Sequence, residues 1–376
     1  MISGPFAGQI LADLGAEVVK LEPAGGDPLR HVRPQHNGMG ALFLHVNRGK
    51  KSIGVDLKSP TGVRIARELA LKADVVLENF RPGVMERLGL GYESLKAANP
   101  GLIFVSISGF GASGPYVDRP AYDHVLQGMS GLMKGLAGTG EPVPVRNVIV
   151  DKTAAMAAAN ATLAALLYRE RNGGEGQRVS ISLLDSFAAF ALPDIMVNQT
   201  FLEEGSEQIR AIDIYHPVPT SDGHVIGHIQ LDAQFAGLCK IFGRQDLIGD
   251  VRFKDAWSRL SNYEDMWGEM ATVALGMKTA DIVAAAAAEG VPLGPVNSVA
   301  DLFEDPQAIH NATFFDTQDP ELGAIRQLRF PAELEKSPAR MNVRAPLYGE
   351  QSAAILEELG LDPAAIDAAR ASGAVR

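Results

Sequence analysis

Asp151 is the carboxylate whose surroundings invite chemistry. It ends the apolar run Pro144–Val150 and precedes a stretch of small residues that includes Thr153, Ala154, Ala155, Ala157 and Ala158. An aspartate at the mouth of a helix can serve as an N-cap, because its oxygens accept hydrogen bonds from the first-turn N–H groups. It can also act as a nucleophile, since a helix N-terminus stabilises the anion and small neighbours leave room for an electrophile. The two readings are compatible. Arg48, Lys50, Lys51, Lys58, Arg81 and Arg87 gather in the first quarter of the chain. They either solvate the surface or converge on a ligand with several phosphates. Gly109-Phe110-Gly111-Ala112-Ser113-Gly114 spells a dinucleotide fingerprint, which requires a helix to follow. Pro115, Tyr116 and Pro120 follow instead, so this is read as a glycine-rich connection. The eight histidines are scattered; His224 and His228 are four apart but fall in a predicted hairpin, and no metal site is expected. Neither a Gly-x-Ser-x-Gly elbow nor a Cys–His pattern occurs. The single cysteine, Cys239, follows Phe235 and Leu238 in a predicted helix and is read as core.

The elements around these residues alternate. Residues 4–15 read as a helix with Ile10, Leu11 and Leu14 on one face and Gly15 as its stop. Strands are expected at 16–22, 74–79, 102–108 and 178–182, with a helix opened by Ser59-Pro60 between the first two. Residues 142–151 read as an extended run ending at Asp151, followed by a long helix to about Arg171 and another from Leu183. Such alternation implies βαβ units and a doubly wound parallel sheet. A sheet of this type commonly opens with a strand, yet a helix starts almost at Met1. The expectation is a native start upstream, or a chain short by about one strand. After about residue 200 the pattern changes to a hairpin around Ser221-Asp222-Gly223 and helices near 232–242, 262–275 and 279–289. The expected domains are a first part of a large domain over 1–200, a small α+β domain over 205–305, and a C-terminal part, 310–376, that completes the large one. That last part reads as scattered short segments and a final helix at 351–360.

Composition narrows the function classes. Thirty-four basic and 45 acidic residues give a net charge of −11, and the pI is about 5.3. No basic surface for nucleic acid is expected. No apolar run approaches the roughly 18–20 residues of a membrane span. Met1–Phe6 shows no signal-peptide pattern, and with one cysteine no intrachain disulfide can form, which suits a reducing cytoplasm.

Eight strings together resemble the class III CoA-transferases, the CaiB–BaiF family. They are GPFAGQILADLGAEVVKLE, NRGKKSIGVDLKSPTG, ADVVLENFRPGVMERLGL, GLIFVSISGFGASGPY, RPAYDHVLQGMSGLM, LLYRERNGGEGQRVSISLLD, EGVPLGPV and APLYGEQSAAILEELG. They span nearly the whole chain; ENFRPGVMERLGL and NRGKKSIGVDLK are the most specific. The resemblance implies a Rossmann-like, doubly wound α/β large domain, a smaller α+β domain, and a homodimer of two interlocked chains. It implies transfer of coenzyme A from an acyl-CoA to a small carboxylic acid through an aspartyl anhydride and an aspartyl–CoA thioester. CoA is then a substrate, and no separate cofactor is expected.

The family's catalytic aspartate falls on Asp151. Its CoA contacts fall on Ile2, Ser3, Val55, Lys58, Asn79, Phe80, Arg81, Arg87 and Tyr122. Pro23 and Pro120 stand where the family's formyl-CoA transferases carry basic residues, and Arg81 is a candidate to compensate. Gln351 and Ser352 replace a common His-Thr pair. The family also includes α-methylacyl-CoA racemases, which use a histidine and an aspartate as two bases. That histidine aligns with Tyr122; His124 lies two residues on and, with Asp123 read as a helix N-cap, should point elsewhere. Beside transferase and racemase stands a third alternative, a non-catalytic acyl-CoA-binding protein.

Overall fold

The computed structural model describes residues 1–138, 140–203, 205–209, 214–341 and 343–376. Contacts divide the chain into two compact units, one formed by residues 1–200 and 312–376, the other by residues 201–311.

The first unit opens with helix α1 (Ser3–Asp13), then β1 (Val18–Glu22), α2 (Ala41–Asn47), β2 (Lys50–Gly54), α3 (Pro60–Lys72), β3 (Val75–Glu78) and β4 (Ile103–Ser108). Helix α4 (Asp123–Met129) leads to the long α5 (Ile149–Arg171), β5 (Arg178–Ser182) and α6 (Leu183–Ala191). Apart from a two-residue antiparallel pair at 35–36 and 39–40, the strands of this stretch pair in parallel. β1 pairs with β2, and β3, β4 and β5 form a three-stranded sheet in that order. β4 is buried on both faces: Ile103, Val105 and Ile107 face the alanines of α5, and Phe104 packs on the other side with Tyr92 and Leu95. A strand covered on both faces is apolar where it is buried, which is why Ile103, Phe104, Val105 and Ile107 of IFVSIS stand out. On α5 the residues turned inward are Ala154, Ala155, Ala158, Thr162 and Ala165. Their small side chains let α1 and α5 lie close together.

The early basic cluster splits on folding. Arg48 is buried and grips Asp13 with two hydrogen bonds of 2.9 and 2.6 Å. Lys50 is buried and donates to the Pro5 and Val46 carbonyls and to Asn47 Oδ1 at 2.6, 3.0 and 2.7 Å. Lys51 pairs with Glu17 and Glu358. These three hold the fold rather than a ligand. Glu22, at the end of β1, is likewise buried, between Arg30 and Ser52. Burial opposes its ionisation, but the Arg30 guanidinium and Ser52 hydroxyl outweigh this and keep its carboxyl below the ordinary range.

The second unit contains β6 (Val218–Pro219), β7 (His224–Gly227), α7 (Asp232–Ile241), α8 (Tyr263–Ala274), α9 (Thr279–Glu289) and β8 (Leu293–Pro295). The three strands form an antiparallel sheet in the order β8-β7-β6. Cys239 is buried in the core of this unit with Phe235, Leu238 and Trp267.

The C-terminal part differs from the scattered segments expected of it. It holds an antiparallel hairpin, β9 (Phe314–Asp319) with β10 (Gly323–Leu328), and two helices, α10 (Ser352–Glu358) and α11 (Pro363–Ala371). Leu322 and Ile325 of the hairpin pack with Phe43 and Leu44, and Ile355, Leu356 and Ile366 pack with Ile53 and Ile65, so this part shares the first unit's core. Gln351 and Ser352 are structural there. Gln351 accepts the Ser52 N–H on its side chain at 2.8 Å, and the Ser352 hydroxyl bonds the Arg376 carbonyl.

Candidate active site

Asp151 does not precede α5 as an N-cap. The helix begins at Ile149, and Asp151 lies in its first turn, after Val148 at the cap position. The expected extended run ends earlier, because residues 142–146 have no regular structure. The cap is supplied from outside. Asp123 Oδ2 accepts the Val150 and Asp151 N–H groups at 2.8 and 3.1 Å. Asp123 is only 3% exposed. It does not cap its own helix, where Tyr122 occupies the N-cap position. The local sequence could not show this, because donor and acceptor are 28 residues apart.

A second helix start faces the same carboxylate. The Ser3 N–H, at the beginning of α1, donates to Asp151 Oδ1 at 3.3 Å. Asp151 is thus half-buried between the N-termini of α1 and α5, where unsatisfied N–H groups and the helix dipoles favour negative charge. Burial nevertheless pushes the Asp151 carboxyl above the ordinary aspartate range; the Asp123 carboxylate adds to this, while the Met1 ammonium and Ser3 oppose it. The ionised form is therefore stabilised less than that of an exposed aspartate.

The other residues expected to hold CoA fall into three places. Ile2 and Ser3 are buried at the start of α1, beside Asp151. Asn79, just after β3, belongs with them: a Cβ at Gly4 would meet its Cγ at 3.0 Å, so glycine permits the close approach. Phe80 and Arg81 line a cleft of about 220 Å³ at the end of the β3–β4–β5 sheet, with Glu78, Ser106, Ser108 and Arg178. Burial raises the Glu78 carboxyl above its ordinary range. Arg87 is exposed nearby, in a short helix after Gly83. Val55 is buried after β2 and bridges to Val375, and Lys58 is exposed three residues on. Among the described residues no ion pair engages Lys58, Arg81 or Arg87, and no hydrogen bond links them to Asp151. Tyr122 is 70% exposed, and His124 is also exposed while Asp123 between them is buried. The glycine-rich 109–114 segment is a loop, with no helix before Asp123. No group of three or more metal-binding side chains occurs among the described residues, and no described helix is long and apolar enough to cross a membrane.

Residues 1–352 match the family described as CoA-transferase family III. The chain belongs to CoA-transferase family III. It is a CoA-transferase, moving CoA from an acyl-CoA thioester to a carboxylic acid. The transferase is 36% identical to a succinate–glutarate CoA-transferase of Agrobacterium fabrum, over 96% of this chain and 92% of that one. It is 34% identical to a succinyl-CoA:glutarate CoA-transferase of Mus musculus, over 100% of this chain and 87% of the other. Its mixed α/β fold superposes on a CaiB/BaiF family protein from Brucella suis with a TM-score of 0.84 at 35% identity, covering 95% and 96% of the two chains.

Proposed function

We propose that Asp151 is the covalent nucleophile of a transfer that takes CoA from succinyl-CoA to a second dicarboxylic acid. One observation carries the reading: a half-buried carboxylate set between two helix N-termini, with the Ser3 N–H on one of its oxygens. The substrate class is supported by the relatives, which are named for succinyl-CoA or succinate with glutarate or D-citramalate.

The chemistry balances without an outside proton. Asp151 attacks the thioester carbonyl, the C–S bond breaks, and CoA leaves as thiolate, giving a mixed anhydride. The thiolate attacks the Asp151 carbonyl and releases the donor as a free carboxylate, leaving an aspartyl–CoA thioester. The acceptor carboxylate attacks that thioester, forming a second anhydride and freeing the thiolate again. The thiolate takes the acceptor's acyl group, and the Asp151 carboxylate is regenerated. Each step replaces one activated acyl group by another, so a hard exchange becomes several easy ones. The Ser3 N–H, which already bonds Asp151 Oδ1, supports this step as a donor to the oxyanion that forms there.

In this reading the first unit is the CoA-binding domain. Ile2, Ser3, Val55, Lys58, Asn79, Phe80, Arg81, Arg87 and Tyr122 contact CoA, and the exposed cations Lys58, Arg81 and Arg87 serve its phosphates. The transferase works as a homodimer of interlocked chains. Supporting this, Met156, Leu163 and Leu167 leave an apolar stripe exposed on α5.

Incubation with succinyl-CoA followed by hydroxylamine should convert Asp151 to its hydroxamate, read by peptide mass spectrometry. Asp151→Ala should lose both the adduct and CoA exchange while keeping its circular dichroism. A variant that still exchanges CoA at the wild-type rate would remove Asp151 from the mechanism.

A further inference from the structure

We infer that Asp123 is a positioning residue for Asp151: with Gln127 it forms a buried bracket that fixes the start of α5 and aims the nucleophile. The inference rests on the reading of Asp151 as nucleophile.

The bracket is fully specified by its bonds. One oxygen of Asp123 receives the N–H groups of Val150 and Asp151, and the other receives Gln127 Nε2 at 2.6 Å. Gln127 is buried and its amide is matched on both ends. Its Nε2 also donates to the Val145 and Asn147 carbonyls at 3.3 and 3.0 Å, and its Oε1 accepts the Val145 N–H at 3.0 Å. Two side chains of one short helix therefore pin the approach to α5 and its first turn together. Val148, at the cap position, offers no side-chain acceptor, so α5 depends on Asp123 for this end.

Capping alone would not require a charge. Serine or asparagine caps about as well as aspartate. A buried carboxylate beside a second carboxylate is a costly choice on stability grounds. Its benefit lies in the reaction. The Asp123 charge disfavours ionised Asp151, so the anion that forms is a stronger base and a stronger nucleophile. The Met1 ammonium also bears on Asp151, and Lys152 follows it in the helix; both are common to wild type and variant, so a difference between the two reports Asp123.

The test compares Asp123→Ala, Asp123→Asn and Asp151→Ala in the full chain, using succinyl-CoA with glutarate. Asp123→Ala should lower kcat about tenfold or more with KM for succinyl-CoA within about twofold, the mark of lost orientation rather than lost binding. Asp123→Asn keeps an oxygen for the α5 amides and removes the charge. It should recover part of kcat, and the acid limb of its kcat–pH profile should move to lower pH. Unchanged kcat in Asp123→Ala, or an unmoved acid limb in Asp123→Asn, overturns the inference even when Asp151→Ala is inactive. An active Asp151→Ala enzyme instead overturns the nucleophile itself and this role with it. Should Asp123→Ala fail to fold, the asparagine variant decides.

Discussion

At the scale of the residue, reactivity and stability oppose each other at Asp151. Its pKa is raised in the folded protein, chiefly by burial. The folded state then binds a proton that the unfolded state has already lost over the interval above the ordinary value of 3.8. Stability from this group is full below that value and falls as the pH rises through the folded pKa. Asp151→Asn should therefore melt about 1–3 °C higher than wild type near neutral pH, with the gain vanishing in acid. Differential scanning calorimetry at two pH values checks this, and a lower melting temperature at pH 7 would count against it. The Asp123–Gln127 bracket belongs to this scale too. Neither residue carries a local signal of its role, since the backbone groups that the pair bonds lie 18 to 28 residues away.

At the scale of the element, α5 does two jobs with one composition. Its small inward face lets α1 approach, and that approach delivers the Ser3 N–H to Asp151. Ala158 is fully buried on that face. Ala158→Leu should cost about 1–3 kcal/mol by overpacking and push α1 away. Urea unfolding measures the first effect and kcat the second; a variant with wild-type midpoint and rate would show that the contact is slack. α1 is held from the other side by Lys50, whose buried ammonium bonds the Pro5 carbonyl in its first turn. Burial lowers the Lys50 pKa well below the usual lysine range, so this tether is strained electrostatically but complete in hydrogen bonds.

At the scale of the whole molecule, the exposed stripe on α5 is the feature that a single chain leaves unfinished. Met156, Leu163 and Leu167 recur at helical spacing on the face opposite the buried alanines. Leu163→Glu with Leu167→Glu should turn the proposed dimer into monomers in sedimentation velocity runs. Were the double variant to sediment as wild type does, this face would not be the interface.

The alternation of apolar strands and helices was readable because the central strand β4 is buried on both faces and its neighbours are partly buried, so each carries a short apolar run. The hairpin and helices of residues 218–289 were readable for a similar local reason: turn residues and helical periodicity sit next to each other in the chain. Family membership was readable from strings spread over the chain. What lay beyond the sequence depended on distant partners. The β9–β10 hairpin carries polar residues on much of its length, and its apolar side is defined only by the core it joins. Arg48 and Lys50 look like surface cations until Asp13 and three oxygens around Lys50 are brought to them. The N-terminus of α5 takes its cap from Asp123 and not from Asp151, because a helix end is capped by whichever acceptor the fold presents. Only the tertiary structure makes Asp123 the cap and turns the Asp151 side chain to the Ser3 N–H.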